Sequence, residues 1–473
     1  MPSPILKTLL VFCAVLTLVP SSPAKEPEER PTNIVLFLAD DLGYADLGSY
    51  GAEGFSTPHL DRLAEKGLRF TDFYVAAAVC SASRAALLTG RYPLRTSITG
   101  VVSANRKEGI PAEEILISEM LKEQGYATGI FGKWHLGNVP KLWPAANGFD
   151  EWFGTIGSND MGKGRPSLEQ RRLGKAGVEL VDQDQVVEIN PDQRLLTKRY
   201  TDRAIDFIKR NQDDPFFVYI PFNMPHTPLF ASKDFRNSSE RGLYGDVVQE
   251  IDASVGRVVQ TLETLKLDKN TLVLFTSDNG PWLIFGDHGG SAAPLSGGKK
   301  QTLEGGMRVA CVAYWPGKIP AGSVVSELVT SMDFLPTIAN LAGAPLPKKQ
   351  LDGDDLTELL FHPKSESPFG ADRELPRYLL YYWDEELQAI RVGDWKLRLA
   401  HIDTQAPDPD KIGNGGIRGE IHLEERSLAL FNLVEDPAER KNLAEEYPEI
   451  VESLQNFLTQ LRSEGRLPQN LHR

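Results

Sequence analysis

Four short apolar runs, far apart in the chain, end in the same way, and this narrows the folds open to it. Asn33 to Leu38 leads into Asp40 and Asp41. Thr128 to Phe131 leads into Gly132, Lys133, Trp134 and His135. Phe216 to Phe222 leads into Asn223 and His226, and Thr271 to Thr276 leads into Asp278, Asn279 and Gly280. A near-continuous apolar run of this length is a strand covered on both faces, and such strands sit in mostly parallel sheets. Segments of helical period separate the runs: Ile117 to Gln124, Thr197 to Asn211 and Tyr244 to Lys266. The last carries Val247, Val248, Ile251, Val255, Val258, Val259 and Leu262 on one stripe. Alternating strand and helix predicts an α/β fold, a large mixed and mostly parallel sheet flanked by helices. Ligands of such sheets bind beyond the carboxyl ends of the strands, where the four polar clusters fall.

After about Pro345 the pattern changes. Residues 345–376 are rich in Pro, Asp and Lys and read as loop and linker, with a short helix near Leu356 to Phe361. Tyr378 to Tyr382, Ala389 to Val392 and Trp395 to Leu399 read as strands, and Pro448 to Ser463 as a helix. The expected organisation is a large domain over residues 25–370 and a C-terminal subdomain over 371–473, an antiparallel sheet with a packed helix. Residues 403–419 hold Pro, Asp and Gly without periodicity and read as a mobile loop.

The N-terminus has the pattern of a cleaved export signal over residues 1–24. Lys7 supplies the positive charge, Leu9 to Val19 the apolar run, and Ser22, Pro23 and Ala24 the small-residue cleavage site. The run is too short to span a bilayer, so export without membrane insertion is expected. The chain has 51 Lys and Arg against 65 Asp and Glu, a formal charge of −14. That balance argues against nonspecific nucleic-acid binding. It also requires any anionic substrate to meet a locally basic pocket. Of three cysteines, Cys13 falls in the signal, and Cys311 lies in the apolar run Val309 to Tyr314 and reads as a core residue. No disulfide is expected.

Cys80 stands apart. Small residues follow it, then helix formers from Arg84 to Leu88, then Thr89 and Gly90, which stop the helix. This places Cys80 at a helix N-terminus, where unpaired N–H groups favour an anion. Arg84, four residues on, shares its face, and a guanidinium suits the oxygens of phosphate or sulfate. A lone cysteine is equally a small buried hydrophobe. Asp40, Asp41 and Asp278 with Asn279 form a set of hard oxygen donors that repel one another without a cation, and they suit Ca²⁺ better than Zn²⁺. Asp40 and Asp41 alone are equally a solvated turn. Lys133 and His135 flank Trp134 with the alternate spacing that points both the same way on an extended segment. His226 lies between Pro225 and Pro228, and Lys299 between a Gly pair and Glu304-Gly305-Gly306.

Jointly these segments resemble the formylglycine-dependent (type I) sulfatases. The resemblance runs through Ala39-Asp40-Asp41, Cys80-Ser81-Ala82-Ser83-Arg84 with Leu88-Thr89-Gly90-Arg91, Gly132 to Gly137 and Gly148 to Gly154. It continues through Pro225 to Pro228, Thr276 to Gly280, Gly298-Lys299 with Glu304 to Gly306, Gly393 to Leu397, and Asp436-Pro437. Ala82 stands where the family pattern usually has Pro. The resemblance implies an alkaline-phosphatase-like fold and oxidation of Cys80 to formylglycine (3-oxoalanine) by a formylglycine-generating maturation enzyme. It implies Ca²⁺ held by Asp40, Asp41, Asp278 and Asn279, sulfate binding by Lys133, His226 and Lys299, and support of the formylglycine by Arg84 and His135. His226 would protonate the leaving alcohol and His135 would act as the base.

Within the family the nearest look is of the galactosamine-6-sulfatase and arylsulfatase A branch. This points to an exported hydrolase of sulfated saccharides, periplasmic or extracellular, or lysosomal in an animal. A 6-O-sulfated galactose or N-acetylgalactosamine is the leading substrate. Trp282, Asp287 and His288, just past Asp278 and Asn279, are candidate sugar contacts. Two alternatives stand beside this: a phosphodiesterase or phosphonate hydrolase of the same superfamily, and a non-catalytic glycan-binding protein if Cys80 is never oxidised.

Overall fold

The alternation of side chains along one strand, Asn33–Ala39 (β1), divides the interior in two. Ile34, Leu36 and Leu38 enter one apolar core, and Val35, Phe37 and Ala39 enter the other; all are fully buried. A strand buried on both faces needs helices on both sides of its sheet, which is the arrangement found. The structure, a computed structural model, describes residues 31–104, 107–162, 167–365, 369 and 374–468. The export signal expected over 1–24 and the boundary expected at 370–371 lie outside the described residues.

Nine further strands complete the main sheet: Leu68–Phe70 (β2), Ala127–Lys133 (β3), Glu151–Thr155 (β4), Glu179–Asp182 (β5), Gln185–Ile189 (β6), Phe216–Pro221 (β7), Thr271–Ser277 (β8), Cys311–Tyr314 (β9) and Ser323–Val325 (β10). Their order is β10-β2-β9-β8-β1-β7-β3-β4-β5-β6. The centre is parallel: β1 pairs with β7 and β8, and β3 with β7 and β4. The flanks bring antiparallel pairs, β9 with β8 and β2, β5 with β4 and β6. The expected mixed, mostly parallel sheet is therefore present. Helices Pro58–Lys66 (α1), Leu196–Arg210 (α4) and Leu243–Leu265 (α5) supply Leu60, Ile208 and Val255 to one core. Helices Cys80–Thr89 (α2), Ile117–Glu123 (α3) and Phe334–Ala342 (α6) supply Ala85, Leu121 and Leu335 to the other.

At the C-terminus, Tyr378–Trp383 (β11), Glu386–Val392 (β12), Trp395–Arg398 (β13) and Ala429–Asn432 (β16) form an antiparallel sheet in that order. Helix Pro448–Ser463 (α7) lays Leu454, Leu458 and Leu461 against the apolar core that also holds Leu380, Ile390 and Leu397. That core is continuous with Leu272 and Leu274 of β8, so the small sheet shares the interior of the large one. The segment read as a mobile loop is different. Residues 403–419 belong to a hairpin of His401–Pro407 (β14) and Ile421–Arg426 (β15), with the turn between them held down by backbone hydrogen bonds. Its polar composition reflects solvent on one side, and the cross-strand pairing that orders it is not a periodic signal.

Candidate active site

The four polar clusters meet at the carboxyl ends of β1, β3, β7 and β8. Asp40 follows β1 and Asp278 follows β8, and parallel pairing of these strands sets the two side by side. The Asp278 N–H bonds the Ala39 carbonyl at 3.1 Å, and the Asp41 N–H bonds Asp278 Oδ1 at 3.1 Å. Asp41 has φ 69° and His135 has φ 62°, both in the left-handed region. Side chains other than glycine adopt it at a cost, and it gathers at functional sites. The turn at His135 corrects the sequence reading. Lys133 closes β3 in extended form, but His135 is not extended, so the chain's bend, and not strand alternation, brings its ring to the cluster. Gly280 sits against the Glu304-Gly305-Gly306 segment so closely that a Cβ there would lie 1.8 Å from the Gly305 carbonyl oxygen. Both glycine-marked motifs thus serve one backbone approach.

Cys80 opens α2, as expected. All ten residues of α2 are buried, and Gly90 (φ 68°) ends it with its N–H on the Ala86 carbonyl. Ala82 lies in the first turn, where a backbone N–H has no intrahelical acceptor. Proline and alanine are interchangeable in helical terms there, which accounts for the departure from the family pattern. The Cys80 sulfur and carboxylate oxygens of Asp40 and Asp278 all lie within 4.8 Å of one another. Arg84, fully buried, reaches Asp278 Oδ2 through Nε at 2.9 Å and Nη2 at 2.8 Å, and the Lys133 carbonyl through Nη1 at 3.1 Å.

Two lysines close the ring. Lys133 Nζ lies 2.6 Å from Asp40 Oδ2, and Lys299 Nζ lies 2.6 and 2.8 Å from the two Asp41 oxygens. Asn279 donates Nδ2 to Asp41 Oδ1 at 2.7 Å and to the Gly280 carbonyl at 3.0 Å. His226 Nε2 lies 3.8 Å from Asp41 Oδ2. Its Nδ1 is 3.1 Å from Asn159 Oδ1, and the Asn159 amide donates to Gln193 Oε1 and the Pro228 carbonyl. Those acceptors fix the amide, so Oδ1 faces the ring and Nδ1 carries the proton. Trp282 lies with its ring centre 5.4 Å from that of His226 and 4.4 Å from Lys299 Nζ. Asp287, exposed, accepts the Gly415 N–H at 2.8 Å, and His288 packs beside Gly416. All ten sequence-selected residues, Asp40, Asp41, Cys80, Arg84, Lys133, His135, His226, Asp278, Asn279 and Lys299, therefore occupy one buried cluster. Asn159, Ser158 and Gln193 were missed. The rule that found the others would have found Ser158 and Asn159, which follow strand β4.

Burial and charge set the protonation states. Burial pushes the Cys80 thiol up, and Lys133 and Lys299 do not offset it, so the unmodified thiol is not an activated thiolate. Burial also drives His135 well below its usual value, helped by Lys133 and Arg84, and it is neutral. His226 is lowered by burial and Lys299, against the pull of Asp41. Burial would raise Asp40, but Lys133, His226 and Arg84 hold it below the ordinary range, while burial and Asp40 push Asp278 up.

Some buried polar atoms of this cluster make no hydrogen bond: Asp40 Oδ1, Asn279 Oδ1 and both ring nitrogens of His135. Unpaired buried acceptors are costly. Two acceptor oxygens among three carboxylates are what a divalent cation with oxygen preference completes, so the residues present fit Ca²⁺. The charges also fit. Three carboxylates are balanced by Arg84, Lys133 and Lys299. A cation taking the carboxylates would release both ammonium groups toward an anion.

A family model described as Sulfatase matches residues 32–344, and one described as C-terminal region of aryl-sulfatase matches 374–471. N-acetylgalactosamine-6-sulfatase of Canis lupus familiaris is 39% identical over 456 residues, covering 90% of this chain and 84% of that protein. Arylsulfatase A of Homo sapiens is 39% identical over 456 residues, covering 90% and 87%. Among solved structures, the PsFucS1 sulfatase from Pseudoalteromonas sp. superposes with a TM-score of 0.78 at 25% identity, covering 92% of this chain and 91% of that one.

Proposed function

This chain belongs to the sulfatase family and is a sulfuric ester hydrolase, and from that premise we propose that it removes sulfate from saccharides with residue 80 as nucleophile. One observation carries the reading: the Cys80 sulfur converges with the Asp40 and Asp278 carboxylates inside a cluster that leaves acceptor oxygens unpaired. A thiol raised by burial is a poor nucleophile, and a maturation enzyme that oxidises it answers that difficulty. As formylglycine hydrate, residue 80 supplies two hydroxyls on one carbon, one to attack sulfur and one whose deprotonation later frees sulfate. Asp40, Asp41, Asp278 and Asn279 would hold Ca²⁺, which would supply Lewis-acid polarisation of a sulfate oxygen and favour ionisation of the attacking hydroxyl.

The chain's own side chains do the rest. Lys133 and Lys299, freed from Asp40 and Asp41, hold the sulfate oxygens. His226, kept in one tautomer by Asn159, turns Nε2 toward the same space and delivers a proton to the departing alcohol. An anion between His226 and Lys299 reverses the depression that Lys299 causes and favours the imidazolium. His135, neutral and with both nitrogens unpaired, takes the proton from the second hydroxyl. Arg84 fixes Asp278 and neutralises charge beside residue 80.

For substrate, a 6-O-sulfated galactose or N-acetylgalactosamine is favoured by the similarity to N-acetylgalactosamine-6-sulfatases and by the aromatic Trp282 beside His226. Export fits such a substrate. Among the described residues no helix is long and apolar enough to cross a membrane. Two measurements test the reading. The peptide holding residue 80, from natively expressed protein, should have the mass of the aldehyde, and Cys80→Ala should fold and lose sulfatase activity; near-wild-type activity in that variant refutes it. Sugars sulfated at one known position, assayed side by side with an aryl phosphodiester, set the specificity. Release only from 2-, 3-, 4-O- or N-sulfated sugars overturns the 6-O assignment, and faster phosphodiester turnover overturns the sulfatase preference.

A further inference from the structure

Beside the sulfate-binding cluster lies a second group of cations, Lys300 and Arg418, that no carboxylate among the described residues meets within ion-pair distance. Lys300 follows Lys299 with φ 70°, in the left-handed region, and its N–H is fixed on the Ala78 carbonyl at 2.7 Å. The turn sends consecutive ammonium groups to different places. Lys299 Nζ goes inward to Asp41, 4.4 Å from the centre of the Trp282 ring, and Lys300 Nζ stands 5.4 Å from the same ring. Lys299 is 5% exposed, whereas Lys300 is half-buried and borders a cleft with Trp282, Gln405 and Arg418.

Arg418 comes from the turn of the β14–β15 hairpin, and that turn is anchored. The N–H groups of Gly413 and Gly419 both bond the Ile284 carbonyl, at 3.0 and 2.9 Å, and the Gly415 N–H bonds Asp287. Arg418 is therefore held over the cleft by the backbone on both sides of it. Among the described residues no carboxylate lies within ion-pair distance of Lys300 or Arg418. Burial, then Lys299 and Arg418, lower the Lys300 ammonium against a smaller pull from Cys80 and Asp41, so like charges converge there. In a chain of formal charge −14, unopposed cations at the mouth of an anion site mark where further negative charge belongs.

We propose that Lys300 and Arg418 bind a second anionic group of the saccharide whose sulfate ester is seated at residue 80. This rests on the sulfatase reading and extends it. The second group is a sulfate or a carboxylate, both of which a guanidinium and an ammonium recognise through charge-assisted hydrogen bonds. It lies on the scissile sugar or on its neighbour, with Trp282 against the ring between the two anions. The preferred substrate class is then a multiply charged glycan segment. An isolated monosulfate is disfavoured.

Competition against 4-nitrophenyl sulfate turnover tests this without requiring the competitor to be cleaved. The competitors are N-acetylgalactosamine 6-sulfate, its 4,6-disulfate, and the disaccharide with glucuronate linked to N-acetylgalactosamine 6-sulfate. At least one doubly charged competitor should bind the wild-type enzyme about tenfold more tightly than the monosulfate. Preference for the disulfate assigns a second sulfate, and preference for the disaccharide assigns a carboxylate. Lys300→Gln and the exposed-site variant Arg418→Gln should each reduce that preference to about threefold or less. Equal binding of single and double anions by the wild type, or a preference that survives both substitutions, overturns the proposal. Absence of any 4-nitrophenyl sulfate turnover by the wild-type protein would instead overturn the sulfatase reading beneath it.

Discussion

The protein buries two clusters with the same formal charges, and they differ in what they leave unsatisfied. One is the site: Asp40, Asp41 and Asp278 against Arg84, Lys133 and Lys299. The other joins the C-terminal sheet to the large one: Asp72, Glu304 and Glu439 against Arg308, Arg391 and Lys396. In the second, Tyr74 and Tyr381 donate their hydroxyls to the Glu304 oxygens at 2.5 and 2.8 Å, and Lys396 Nζ lies 3.0 Å from Glu304 and 2.9 Å from Glu439. Arg391 and Arg308 reach Asp72 at 2.9 and 2.8 Å, and the Glu304 N–H bonds Glu439 Oε2 at 2.7 Å. Both Glu304 oxygens are thus satisfied from within the chain. Glu439 Oε1 and Arg308 Nη1 make no hydrogen bond either, but each faces an opposite charge inside the cluster, Lys396 Nζ at 2.9 Å and Glu304 Oε2 at 4.0 Å. In the site, Asp40 Oδ1 has Arg84 Nη2 only at 3.7 Å, and Asn279 Oδ1 and the two ring nitrogens of His135 make no hydrogen bond. Equal charge balance therefore does not distinguish a structural cluster from a functional one. The distinction lies in whether acceptor capacity has been left for something from outside.

The contrast can be broken from either side. Lys396→Met removes the ammonium shared by Glu304 and Glu439, whose side chains are both buried, and should destabilise the protein by about 3–5 kcal/mol in denaturant unfolding. The site predicts the reverse pattern. Asp278→Asn keeps the shape and should lower kcat/KM by at least about a thousandfold, roughly 4 kcal/mol, while unfolding stability, compared with wild type in chelator, moves by less than about 1 kcal/mol. A loss of stability as large as that of Lys396→Met would erase the distinction.

Acid sharpens it further. The Glu304 carboxyl, which burial alone would raise, is held by Lys396, Arg391 and Arg308 down to about 2 from 4.5. A carboxylate lowered by folding contributes stability that is present above about 4.5 and lost as pH falls toward about 2. Glu304→Gln should therefore be destabilised near neutrality and should lose about 3 kcal/mol less than wild type across that window. Equal acid sensitivity in variant and wild type would place the acid-labile groups elsewhere.

Much of the site was legible because its residues share one rule, a polar cluster after an apolar strand, and that rule needs only local sequence. The second cluster was not legible. Tyr74, Glu304, Arg391, Lys396 and Glu439 come from separated segments, and nothing local in any of them announces a partner. The C-terminal hairpin was misread for a related reason: β14 and β15 are ordered by pairing and by the Ile284 carbonyl, which composition does not encode. The bend at His135 was missed because a positive φ on a residue other than glycine leaves no mark in the sequence. The short flanking strands β5 and β6 were missed as well, β6 because it is largely exposed.

A smaller effect separates the clusters by ligand response. Ca²⁺ added to chelator-treated protein should raise stability by about 2.7 kcal/mol at a hundredfold excess over Kd. Glu304→Gln should show the same increment, and Asp278→Asn none.

The central claim is that the unpaired oxygens of the site belong to a divalent cation. Elemental analysis of active protein purified without chelator tests this most directly. One calcium per chain is predicted, absent from Asp278→Asn, whereas fully active protein with no bound divalent ion would contradict the account.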